Sequence, residues 1–198
     1  MKEMIKNAMI LIAITVIAGV ILGTVYEVTK GTIADRELQD KKDAYREVFA
    51  DAAEFKPYED EIMPADERYT LDEEGYGAVD IDELNAAVDA SGEVLGYVFT
   101  VTTSEGYGGD ITLAVGIRKD MTVNGISILT INETAGLGMN AEKVLKPQFE
   151  GKQASHFTYT KQGASMPDEI DAISGATITT NAFVNAVNGC LQYYGDLL

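Results

Sequence analysis

The sequence predicts an α+β protein: a single N-terminal transmembrane helix, then one domain with a mostly antiparallel sheet flanked by helices. Three observations predict it. Residues 8–26, "AMILIAITVIAGVILGTVY", carry no charge. Four strand patterns then follow one another with no helical pattern between them, and the C-terminal segment repeats its apolar residues at helical spacing. A chain of 198 residues is long enough for one full core, and too short for two ordinary domains beside a membrane segment.

As a helix, the uncharged run would span roughly 28 Å, close to the hydrocarbon thickness of a bilayer. A cleaved signal peptide has a shorter apolar core, about 7–15 residues, and a small-x-small cleavage site. Here the run ends "GTVYEVTK", with Tyr26 at the expected headgroup level. The reading is a retained anchor over residues 1–28. Lys2 and Lys6 precede it, while Lys30, Arg36, Lys41 and Lys42 follow among several acids, so positive charge alone gives no orientation. The short head resembles a signal-anchor, which puts a single-pass chain in the cell membrane with its bulk on the extracytoplasmic side.

Residues 29–84 form a second region, read as a juxtamembrane helix and an acidic loop. Ile33, Leu38, Tyr45, Val48, Phe49 and Phe55 recur at helical spacing up to Pro57. Residues 59–83 are acidic and glycine-containing. Within them "DEEGYGAVDIDE" has the outline of a calcium loop, but Glu74 and Tyr76 stand where short Asp or Asn ligands are wanted. It reads as a solvated loop.

The domain proper is expected over residues 85–198. Its strands are "LNAAVDA", "EVLGYVFTVTTS", "GYGGDITLAVGIRKD" and "MTVNGISILTIN", with Ser91-Gly92 as a turn and Asn124-Gly125 as a hairpin-type break. A loop and short helix follow in "NETAGLGMNAEKVLKPQFEGK", and a strand in "SHFTYT". The closing helix sets Phe183, Val184, Val187, Leu191 and Tyr194 on one face.

Composition narrows the function. A formal net charge of -17 argues against nucleic-acid partners, whose phosphates require clustered Lys and Arg. Cys190 and His156 are each the sole residue of their kind, which excludes intramolecular disulfides and Cys- or His-rich metal sites. No acid–base pair stands out, so no catalytic residue and no metal ligand is nominated.

The informative stretch is "DAISGATITTN", residues 171–181. A helix start accounts for Thr179 or Thr180 as a cap. It does not account for Gly175-Ala176 ahead of Thr177, or for Asp171 three residues before Ser174. Small side chains allow a bulky ligand close to the backbone, and free N–H groups at a helix start favour a phosphate.

Residues 171–177, "DAISGAT", resemble the flavinylation motif in which the final Thr carries FMN. "NETAGLG" at 132–138 is similar to the second motif of the same family, the FMN-binding domain shared by the G subunit of the Rnf complex and the C subunit of the sodium-translocating NADH:quinone oxidoreductase. Ala135 stands where that family usually has Pro. The resemblance implies FMN in phosphoester linkage to Thr177, with Ser174, Gly175, Ala176 and Thr179 around the phosphate. It implies Glu133 and Thr134 on the ring or ribityl chain, and Gly136, Leu137 and Gly138 against the isoalloxazine. Asp171 would serve flavin transfer by a separate transferase. The implied role is electron relay in an Rnf-type ion-translocating ferredoxin:NAD oxidoreductase, as one subunit among other membrane subunits rather than a self-contained enzyme. The equivalent quinone-reductase subunit and a non-redox extracytoplasmic binding module are the alternatives.

Overall fold

The computed structural model of the chain describes residues 1–58, 69–71 and 75–197. It divides into two units, Met1–Asp40 and Lys41–Leu198.

The first unit is helix throughout, the leading part of α1 (Lys2–Val48). This helix is long and apolar enough to cross a membrane. Its apolar side chains are exposed all round, Leu11 at 65% and Leu22 at 70%, as a lipid-facing helix requires. Threonine hydroxyls along it bond back to the helix: Thr15 Oγ1 donates to Ile12 O at 2.9 Å and Thr24 Oγ1 to Val20 O at 2.8 Å.

The second unit is built on a seven-stranded, wholly antiparallel sheet. Its strands are β1 (Glu54–Pro57), β2 (Tyr69–Thr70), β3 (Val79–Val88), β4 (Val94–Thr103), β5 (Ile111–Arg118), β6 (Thr122–Thr130) and β7 (Lys152–Gln153). The order is β1-β3-β4-β5-β6-β7, with β2 also paired to β3. Short helices α2 (Ala141–Val144) and α3 (Lys146–Phe149) follow β6. Then come β8 (Thr158–Thr160), β9 (Glu169–Asp171) and the long α4 (Thr177–Leu197).

The strand period of two sends alternate residues of β4 and β5 into different cores. Phe99, Val101, Leu113, Val115 and Ile117 join the α4 core, where Phe183, Val187, Leu191 and Tyr194 are buried as the helical face predicts. On the other face Ala87, Val98 and Ala114 receive Tyr45, Val48 and Phe49. Burial on both faces explains why β4 and β5 read as near-continuous apolar runs.

Three differences from the sequence reading have local causes. The helical spacing carried the juxtamembrane helix to Pro57, but α1 stops at Val48 and residues 54–57 extend as β1 against β3, Phe55 opposite Ala87. Asn124-Gly125 makes no hairpin. Gly125 lies inside β6 opposite Gly116, Asn124 Nδ2 donates to Val48 O, and the turn falls instead at residues 119–121, where Met121 takes φ 67°. The strand expected near Asn85 begins at Val79, so residues 79–83 of the acidic loop belong to β3. The calcium-loop look-alike lies partly outside the described residues; its last five positions are β3.

Candidate functional site

The 171–177 segment links the second, smaller sheet to α4. There β8 and β9 pair in parallel, Thr160 opposite Asp171. The chain then turns: Ala176 N donates to Ile173 O at 3.0 Å, and Gly175 takes φ +79°, a conformation other residues resist. Thr180 fastens the turn to the helix, its Oγ1 accepting from Ile173 N (3.1 Å) and donating to Ala176 O (2.9 Å). Thr180 is therefore a buried tie behind the turn, and Thr177 stands in the first helical turn, whose N–H groups have no intrahelical partner.

The Asp171 side chain is bound to the 161–168 loop. Its Oδ1 accepts from Ala164 N at 2.5 Å, and both of its backbone groups are held by one side chain. Asp171 N donates to Gln148 Oε1 (2.7 Å), and Gln148 Nε2 donates to Asp171 O (3.1 Å). Glu169 acts in parallel: its carboxylate accepts from Ser165 N (2.8 Å) and Met166 N (3.1 Å), bonds that hold its pKa below the usual range. Two carboxylates of β9 thus pin the 161–168 loop.

The 132–138 loop reaches the same place from the sheet. Thr134 O accepts from Leu137 N at 3.1 Å and Met139 N at 3.3 Å, and Asn140 Nδ2 donates to Gly136 O at 2.7 Å. Glu133 turns its Oε1 to the amides of Tyr107 (2.7 Å) and Gly108 (3.4 Å). The two motif loops interlock through glycine. A Cβ on Gly138 would lie 2.7 Å from Thr179 Oγ1, and one on Gly175 would lie 3.1 Å from Leu137 Cδ2.

Between them opens a cleft of about 490 Å³ lined by Tyr107, Glu133, Thr134, Leu137, Gly138 and the first turn of α4. Thr177 is shared with two flanking cavities. One of about 550 Å³ adds Glu105, Tyr159 and Asn181, and one of about 340 Å³ adds Lys161 and Ser174. Five large apolar side chains are exposed among the described residues of the unit: Tyr107, Leu137, Met139, Met166 and Ile178. Three of the five, Tyr107, Leu137 and Ile178, line this one cleft. Clustering of that kind marks a binding surface, because exposed apolar residues are ordinarily scattered.

The residues nominated from sequence are thus mostly gathered. Gly175, Ala176, Thr177, Thr179, Glu133, Thr134, Leu137 and Gly138 line the main cleft, and Ser174 lines the small cavity beside Thr177. Asp171 and Gly136 line none of the three and act on the shape of their loops. Thr179 is 1% exposed, packed under Gly138. Sequence reasoning missed Tyr107, Ile178, Lys161 and Gln148. The glycine-flanked aromatic in "GYGG" was a visible signal for Tyr107; Gln148 carried none.

Comparison with known proteins agrees with this geometry. Residues 106–192 match the family model of the FMN-binding domain, and residues 1–48 match that of the RnfG N-terminal region. The chain is 34% identical to the G subunit of the Na(+)-translocating ferredoxin:NAD(+) oxidoreductase complex of Acetobacterium woodii, over 99% of this chain and 94% of the relative. It is 30% identical to the G subunit of the ion-translocating oxidoreductase complex of Methanosarcina acetivorans (97% and 95%). Identity is also 30% to the G subunit of the proton-translocating ferredoxin:NAD(+) oxidoreductase complex of Clostridium ljungdahlii (89% and 83%). The fold resembles the crystal structure of NqrC from Shewanella oneidensis, with TM-score 0.51 and 18% identity over 74% of this chain and 82% of that one.

Proposed function

Because the chain belongs to the family of G subunits of ion-translocating oxidoreductase complexes, with an FMN-binding domain, we propose that it carries FMN as a phosphoester on Thr177 and relays electrons within such a complex. The observation that carries the reading is the convergence of three cavities on Thr177 at the start of α4, one of them walled by the two motif loops.

The residues present fit the group. A cleft of about 490 Å³ lies within the range of small-molecule sites, roughly 300–1,000 Å³. Gly138 and Gly175 leave open the backbone positions where a side chain would collide with the opposite motif. Thr177 is half-buried, so its hydroxyl is within reach of a transferase, and the amides and dipole of the first turn of α4 favour a bound phosphate. Ser174 and Lys161 bring a hydroxyl and a cation to the same side. Leu137 and Ile178 offer apolar contact to a flat ring.

For attachment, Thr177 Oγ1 would accept the FMN phosphoryl group from FAD. The Oγ–P bond would form as the pyrophosphate P–O bond broke, AMP would leave, and the hydroxyl proton would pass to the transferase. Bound flavin supplies reversible electron uptake; this chain holds, orients and surrounds it. The α1 helix anchors the domain in the membrane, facing the extracytoplasmic side, where a covalent link prevents loss of a cofactor that no soluble pool would replace. Other membrane subunits of the complex exchange electrons with it and move the ion, since one anchor helix without a buried charge offers no ion path.

The test is an intact mass of the chain co-produced with a flavin transferase, beside Thr177→Val. Wild type heavier by one FMN phosphoester and an unmodified variant are expected. An unmodified wild type, with the transferase active on a known acceptor, would overturn the reading.

A further inference from the structure

The loop between β4 and β5, residues 104–110, is built to display one side chain. Tyr107 is 71% exposed, the most exposed large apolar residue of the Lys41–Leu198 unit among those described. The glycines on either side of it are closed to substitution. A Cβ on Gly106 would lie 2.2 Å from Gly109 O, and one on Gly108 would lie 1.8 Å from Asn132 O. The loop is therefore folded tightly on itself and on the 132–138 loop, and the phenol is what it turns outward.

Its direction is fixed by Glu133. The carboxylate accepts from Tyr107 N at 2.7 Å, the length of a strong bond to a carboxylate, and more weakly from Gly108 N at 3.4 Å. Tyr107 then stands on the wall of the cleft that also holds Leu137, Ile178 and Thr177. Leaving a large aromatic ring in water forgoes the apolar burial that would stabilise it, and an aromatic beside a flat-ring site recovers that burial on loading.

We infer that Tyr107 is a ring-contacting residue of this site, covering the flavin from the β4–β5 loop, and that Glu133 positions it through the backbone. The inference rests on the FMN reading above. It assigns a contact to a residue outside both motifs, and gives a motif residue a supporting role.

A tyrosine in van der Waals contact with a flavin quenches its fluorescence, because an electron passes from the phenol ring to the photoexcited flavin and then returns. The full chain is co-produced with the transferase, purified in detergent, and its FMN content fixed by intact mass before emission is measured. Tyr107→Leu should raise emission per bound flavin several-fold, and Tyr107→Trp, an equally good donor, should keep it quenched. Glu133→Ala should raise emission, Glu133→Gln should restore quenching by keeping an acceptor for the two amides, and Tyr107→Leu with Glu133→Ala should equal Tyr107→Leu alone. Loaded Tyr107→Leu with the emission of loaded wild type would overturn the contact. Glu133→Ala emission that is additive with Tyr107→Leu would overturn the positioning role. A wild type without FMN would instead sink the attachment reading, so the two failures are told apart by the mass.

Discussion

Gly138→Ala probes the joint between the two motifs with a single added methyl. The new Cβ would lie 2.7 Å from Glu133 Cβ, Glu133 Oε2 and Thr179 Oγ1, whereas carbon contacts are relaxed at about 3.5–4.0 Å. Something must yield by about 1 Å. Glu133 Oε2 can swing away, but its Cβ is fixed to the backbone, and Thr179 is 1% exposed in the first turn of α4. Overfilling such a site costs about 1–3 kcal/mol. The lower entropy of the unfolded alanine chain offsets about 0.4–1 kcal/mol. The net expectation is a loss of roughly 1–2 kcal/mol. Urea unfolding of the full chain in detergent should show a lower midpoint at unchanged slope, because the surface buried is the same. Gly195→Ala is the control: nothing lies within 4 Å of its added Cβ, and a helical Gly→Ala change stabilises by about 0.5–1 kcal/mol. The Gly138→Ala variant should also load less FMN at limiting transferase, since relief moves either Glu133 or the first turn of α4. A midpoint equal to wild type, with Gly195→Ala raised as expected, would falsify the close approach of the two loops.

Two further outcomes follow from single contacts. Gln148→Leu strips both hydrogen bonds from the Asp171 backbone, costing about 1–3 kcal/mol, whereas Gln148→Glu keeps an acceptor for Asp171 N but sets oxygen against Asp171 O. Urea midpoints should fall for both, and FMN loading rates should fall with them; unchanged loading would separate Gln148 from the acceptor turn. The third outcome concerns pH. Burial alone would raise the Glu47 carboxyl, but hydrogen bonds from Lys146 (2.6 Å) and Ser127 (2.5 Å) outweigh it and hold the pKa below the ordinary glutamate value. A depressed folded pKa contributes stability that is full above the unfolded value and is lost as pH falls through the folded one. The urea midpoint should therefore decline below about pH 4, and Glu47→Gln should flatten that limb. An equal decline in both proteins would assign the acid sensitivity elsewhere.

The sequence showed what recurs with a period or with a rare local pattern, and hid what depends on partners distant along the chain. The α4 face was legible because Phe183, Val184, Val187, Leu191 and Tyr194 repeat at helical spacing, and all five are buried. The four long strands were legible by their β-branched and aromatic enrichment between turn signals. The end of α1 was not. Phe55 fits the helical period as well as Phe49 does, and only pairing of residues 54–57 with β3 decides for strand. Asn124-Gly125 has the composition of a turn, yet Asn124 is used to bind Val48 O at the end of α1. At the site, residues 171–181 were legible as small or hydroxylated types crowded together, and residues 132–138 only through the family resemblance. Which of them touch each other was not, since Gly138 meets Thr179 and Gly175 meets Leu137 across some forty residues of chain. Gln148 gave no warning, because a glutamine on a short helix looks the same whether it faces water or clasps a backbone.

The shape of the site also bears on why the proposed covalent link would be useful. Leu137 is 40% exposed and Ile178 is 53% exposed, so the cleft is shallow on its apolar side. A ring held only by such walls would bury little area and dissociate readily. Deepening the cleft would improve retention but would wrap the ring in protein and lengthen the path to any redox partner. On the proposed reading, a phosphoester on Thr177 would separate the two requirements. Attachment would set a high effective concentration of the ring at its cleft whatever the contact area. The walls would then be free to stay open on the side where electrons would pass.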